Sequence, residues 1–125
     1  MKLLVTAAGP KPAQDKAGYV VNFAKRIGAD IVALYISQQE ADTNADTTLN
    51  VFTDAGQAAG VKVIREQKQG EVVNSIVQAA KDASADLIIM GASPGNDAGK
   101  WLSTRVMEKV AIPVIVFPLE FKKIW

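Results

Sequence analysis

Between Asp86 and Pro118 the chain places a buried strand, a glycine-bearing loop, a helix and a second buried strand in immediate succession. Leu87-Ile88-Ile89-Met90 and Val114-Ile115-Val116-Phe117 are short continuous apolar runs, the pattern of strands covered on both faces. Gly91, Gly95 and Gly99 lie between them. Glycine lets a backbone approach a ligand closely, and a helix N-terminus offers unpaired N–H groups to an anion. A plainer reading is that these glycines only permit a tight turn from strand to helix. Both readings stay open at this point.

The same alternation runs through the rest of the chain. Lys2 to Ala7 reads as a buried strand that stops at Gly9-Pro10. Ala17, Val20, Ala24 and Ile27 form a helical face ending at Gly28. Ile31 to Ile36 is rich in β-formers and reads as the second strand. A polar, acidic stretch from Gln38 to Thr47 leads into a helix with Ala45, Leu49, Phe52 and Gly56 on one face. Val61-Lys62-Val63-Ile64 is expected to be the third strand, with Lys62 marking an exposed edge. Val72, Val73, Ile76, Ala79, Ala80 and Ala83 make the clearest amphipathic helix. The order is βαβαβαβαβ, which implies a parallel sheet with helices on both faces. The expected fold is therefore three-layer α/β, flavodoxin-like or Rossmann-like, with five parallel strands in the order 3-2-1-4-5. Residues 1–125 are expected to form a single domain. Ligands of such sheets collect at the carboxyl ends of the strands where the order reverses, here between Ala7–Lys11 and Gly91–Lys100.

Composition removes several chemistries. The chain has no Cys and no His, so it lacks thiol catalysis, disulfides, Cys-ligated metals and the commonest general base. A net charge of +1 argues neither for nor against nucleic acid. No apolar run approaches the ~20 residues of a membrane span. The apolar opening Met1-Lys2-Leu3-Leu4-Val5 is cut short by Gly9-Pro10-Lys11-Pro12, too early for a signal peptide. A cytoplasmic protein that neither inserts into a membrane nor binds nucleic acid is expected.

Specific phosphate motifs fit poorly. Gly95-Asn96-Asp97-Ala98-Gly99-Lys100-Trp101 is one residue short of a P-loop, and Trp101 stands where the magnesium-binding hydroxyl belongs. No paired glycines of the dinucleotide type follow the first or fourth strand. Ala7 and Ala8 occupy the place of the acids that a phosphoacceptor domain requires.

Three stretches in order carry a more specific resemblance. The first is the short strand turning at Gly9-Pro10 into a helix. The second is Gly70 to Ala80 followed by Ala85-Asp86-Leu87-Ile88-Ile89-Met90-Gly91. The third is Ser103-Thr104-Arg105-Val106 running to Ile112-Pro113-Val114-Ile115-Val116. Together these resemble the universal stress protein family of the UspA type over nearly the whole chain. The resemblance implies the same five-stranded fold and a homodimer, often paired through the last strand. It leaves the ligand open, because the family includes ATP binders and non-binders. Binders resemble G-x-x-G followed by a G-S or G-T pair, with an Asp at the end of the first strand. Here Gly91 matches the first glycine, Pro94 takes the second position with Gly95 one residue late, and Ala8 stands at the Asp position. Depending on register, Lys100-Trp101 or Thr104-Arg105 replaces the G-S pair.

The candidate nucleotide-contacting set is Ala8, Gly9, Ile36, Met90, Gly91, Ser93, Gly95, Lys100 and Ser103. The cofactor is left unknown, with an adenine nucleotide the candidate. The expected function is a homodimeric stress-response binding or regulatory module with a degenerate nucleotide loop, not an enzyme. The alternative is an ATP- or AMP-binding switch. Phe121, Ile124 and Trp125 beyond the last strand are expected to join the dimer contact.

Overall fold

The computed structural model describes residues 1–37, 42–91 and 101–118. Its elements alternate along the chain: β1 (Lys2–Thr6), α1 (Pro10–Ile27), β2 (Asp30–Ser37), α2 (Asn44–Ala59), β3 (Val63–Gln69), α3 (Val72–Ala83), β4 (Leu87–Gly91), α4 (Leu102–Met107) and β5 (Val114–Phe117). The strands form one sheet in the order β3-β2-β1-β4-β5, and every pairing is parallel. This is the expected flavodoxin-like architecture, with its order reversing between β1 and β4.

Each face of the sheet carries its own core. Leu3, Val5, Ile31, Ala33 and Ile89 pack with Val20, Val21 and Ala24 of α1 and Leu49 and Phe52 of α2. Leu4, Val32, Leu34, Ile88 and Met90 pack with Val73, Ile76 and Ala80 of α3 and Val106 of α4. Neighbouring residues of one strand thus serve opposite cores, as the period of two demands. Glu71 caps α3, its carboxylate accepting from the Val73 and Asn74 N–H groups at 2.5 and 3.3 Å. Gly28 and Gly60 end α1 and α2 in the left-handed conformation that glycine tolerates.

Two local expectations need correction. β3 begins at Val63 and continues through Arg65-Glu66-Gln67-Lys68 to Gln69, in register with Ile31–Ser37 of β2. It is an edge strand with alternating exposure, five of its seven side chains are polar, and no continuous apolar run marks it. Ile27, assigned to the buried face of α1, is 37% exposed at the last turn.

The polar residues of β3 are tied to neighbouring helices. Arg65 donates to Asp46 at 2.8 Å and also to Asn50 of α2. Lys68 lies 3.7 Å from Glu66 and 3.6 Å from Asp82 of α3. β5, at the opposite edge, is short and apolar, and Val116 is 40% exposed. The tail residues Phe121, Ile124 and Trp125 lie outside the described residues.

Candidate functional site

The reversal of strand order opens a crevice beyond the carboxyl ends of β1 and β4. β1 ends at Thr6, after which Ala7 is buried and Ala8 is exposed. Gly9 is the N-cap residue of α1, in an extended conformation, and makes no side-chain cap. The first turn of α1 contains no acid and carries Pro10 and Pro12, which have no N–H. The Ala13 N–H is already spent on the Gly9 carbonyl at 3.2 Å. Few backbone donors therefore remain at this helix start to receive an anion.

A side chain supplies what the backbone lacks. Lys16 projects from the second turn of α1 and is only 5% exposed. Its Nζ donates to the Thr6 carbonyl at the end of β1. A Cβ placed on Gly91, the last residue of β4, would stand 3.9 Å from that same Nζ. Lys16 thus bridges the two strand ends that form the crevice. Burial pulls its pKa down to about 8. It still holds its proton at neutral pH, and no carboxylate pairs with it among the described residues. Asp15 beside it in sequence pairs instead with Lys11, at 3.3 Å.

The residues singled out from the sequence divide into groups. Ala8 and Gly9 follow β1, and Gly91 ends β4, so all three lie at the crevice. Met90 is buried in the α3–α4 core, and Ile36 packs half-buried against the same core. Ser103 lies in α4, buried. α4 has six residues and begins after Trp101, which makes no side-chain cap. Ser93, Gly95 and Lys100, with Asn96 and Asp97, fall outside the described residues. Among the described residues no group of three acids stands ready to hold a metal ion.

Lys16 was absent from the sequence-derived set. A signal for it was present. It stands three residues after Ala13 and four before Val20, both fully buried, so it occupies the apolar stripe of α1. A lysine on such a stripe has to be explained, because burying an ammonium is costly.

Tyr35 of β2, buried in the same core as α1, donates its hydroxyl to Asp42 at 2.7 Å. Burial, reinforced by the hydrogen bond to Asp42 and its charge, pushes the phenol up to about 12.

Comparison with known proteins agrees with this fold. The model of the universal stress protein family matches residues 1–118. Universal stress protein MJ0531 of Methanocaldococcus jannaschii is 25% identical over 136 residues, covering 92% of this chain and 80% of the relative. Among solved structures, the universal stress protein of Archaeoglobus fulgidus in complex with dAMP superposes with a TM-score of 0.73 at 18% identity, covering 93% of this chain and 96% of that one. A family protein of Arabidopsis thaliana with AMP bound gives 0.71 at 16% identity, covering 94% and 91%. A universal stress protein in complex with cAMP gives 0.71 at 19%, covering 93% and 94%. At these identities the structural likeness is one of fold.

Proposed function

Because this chain belongs to the universal stress protein family, we propose that it is a cytoplasmic regulatory module that binds an adenine nucleotide in the crevice between β1 and β4 and works as a homodimer. The observation that carries this reading is the buried ammonium of Lys16 beside the Cβ-free surface of Gly91 at that crevice. Relatives of the same fold bind AMP, dAMP and cAMP. The positive charge, bordered by a residue without a side chain, suits a phosphate group. The loop pattern of nucleotide binders is broken here, and Lys16 provides an anion contact that does not depend on that pattern.

The module acts by binding rather than by catalysis. The described crevice offers no nucleophile paired with a base, and the chain has neither His nor Cys. Pairing through β5 is supported by an edge strand that is apolar and partly exposed. No helix among the described residues is long and apolar enough to cross a membrane.

Titration calorimetry of the purified protein with AMP and ATP tests this reading. Saturable binding of one nucleotide per chain supports it. No binding by calorimetry or equilibrium dialysis sinks it, and leaves a module with a degenerate site acting through protein contacts alone.

A further inference from the structure

We propose that Lys16 is the phosphate receptor of this crevice, and that it lets the site take an adenine nucleotide as its metal-free phosphate anion. This inference rests on the nucleotide-binding reading and adds the residue and the form of the ligand.

The argument starts from donors. An ammonium carries three N–H donors and no acceptor. One donor of Lys16 reaches the Thr6 carbonyl, which fixes the side chain under the end of β1. No carboxylate neutralises the group among the described residues. A buried charge without a counter-ion is unfavourable in water-poor surroundings, and the same surroundings strengthen its attraction for an incoming anion. Pro10 and Pro12 remove two backbone donors from the start of α1, so a phosphate there depends more heavily on the side-chain ammonium.

Gly91 borders Nζ on the β4 side: a Cβ there would already be in van der Waals contact, 3.9 Å away, so a residue without a side chain leaves that one place to a ligand atom. The form of the ligand rests on the acids that the described residues lack at this place. Divalent cations are held by carboxylates, often with nucleotide phosphates completing the shell. β1 is followed by Ala7 and Ala8, the first turn of α1 has no acid, and no three-acid group exists among the described residues. Among the described residues of the crevice, phosphate charge is thus balanced by Lys16 rather than by a metal held on carboxylates.

The test compares AMP, adenosine and inorganic phosphate, each with chelator and again with magnesium, on the wild-type protein and on Lys16→Met. The expected result is that wild type with chelator binds AMP at least about tenfold more tightly than adenosine, the scale of a charge-assisted contact. Magnesium should not improve AMP affinity, and inorganic phosphate should compete with AMP. Lys16→Met should bind AMP and adenosine alike. The inference is overturned, and the nucleotide reading kept, if Lys16→Met retains the AMP preference or if wild type requires magnesium. Binding of neither AMP nor adenosine to wild type overturns both. Because a core substitution can disturb packing, the side-chain NMR signal of Lys16 in the unaltered protein serves as a second measurement. It should shift with AMP and not with adenosine, and an unmoved signal at saturating AMP overturns the inference.

Discussion

Gly91 and Lys16 meet across the crevice: the open face of the glycine lies toward the lysine Nζ, with room for a Cβ at 3.9 Å and little beyond it. That spacing separates two substitutions. Gly91→Ala places a methyl group at ordinary van der Waals distance and should change stability by less than about 1 kcal/mol. Gly91→Val adds a branched side chain over the ammonium and should weaken AMP binding markedly more than Gly91→Ala. Paired denaturation curves and calorimetric titrations read the two effects separately.

Lys16 makes stability depend on pH with a definite sign. Its folded pKa of about 8 lies below the ordinary 10.5. Between these values the unfolded chain holds a proton that the native state has released, so unfolding becomes less favourable as pH rises. Below pH 8 both states are protonated and the cost of burying the charge is felt in full. Stability is expected to climb between pH 8 and about 10.5, by up to about 3 kcal/mol at 1.36 kcal/mol per pKa unit. Lys16→Met should be more stable than wild type at pH 7 and should lack that climb. Urea denaturation at a series of pH values checks both expectations.

Tyr35 acts in the opposite sense at higher pH. Its phenol is raised to about 12. Above pH 10 the unfolded tyrosine ionises first, so the contribution of this group falls as pH rises from 10 to 12. Tyr35→Phe should remove that decline and cost about 1 kcal/mol at neutral pH through the lost bond to Asp42. Spectrophotometric titration of the tyrosines, with and without Asp42→Asn, follows the group directly. Its pKa should drop in the variant.

The contact of α2 with the start of β3 turns on Gly56. A Cβ there would collide with the Val63 side chain and stand 2.8 Å from the Val61 carbonyl. Gly56→Ala is expected to destabilise the protein by about 1–3 kcal/mol, as overpacking does. Adding Val63→Ala relieves the side-chain collision but not the one with the carbonyl. The double variant should therefore show a favourable coupling while remaining less stable than Val63→Ala alone, which a double-mutant cycle measures.

Pairing through β5 predicts that a charge on the exposed edge separates the copies. Val116→Lys should elute as a monomer at concentrations where the wild-type protein is a dimer, with its far-ultraviolet circular dichroism unchanged. A dimer that survives this substitution places the interface elsewhere.

Legibility in the sequence followed burial. β1, β2 and β4 are covered by helices, so each appears as an apolar run; the edge strand β5 is apolar too, although Val116 is exposed. β3 is an edge strand, and its five polar residues from Arg65 to Gln69 hid its true end. Ile27 sits on the periodic stripe of α1 but beyond the reach of the core. At the site, Gly9 and Gly91 were legible because chain reversals at strand ends favour glycine. Lys16 was not, because a helix face is read from its apolar members, and a lysine among them passes for a solvated residue until its burial is seen. Ser93, Gly95 and Lys100 lie where the structure is not described, so their part in the site rests on the sequence alone.

The two borders of the sheet differ in chemistry. Along β3, Arg65 and Lys68 are engaged with Asp46, Asn50, Glu66 and Asp82, so a strand arriving there would meet charge and would have to displace those bonds. Along β5 it would meet the exposed Val116. A molecule with one receptive border and one guarded border cannot grow into a ribbon by side-by-side addition. Once two receptive borders have met, neither copy has another to offer, and edge-wise association stops at the pair.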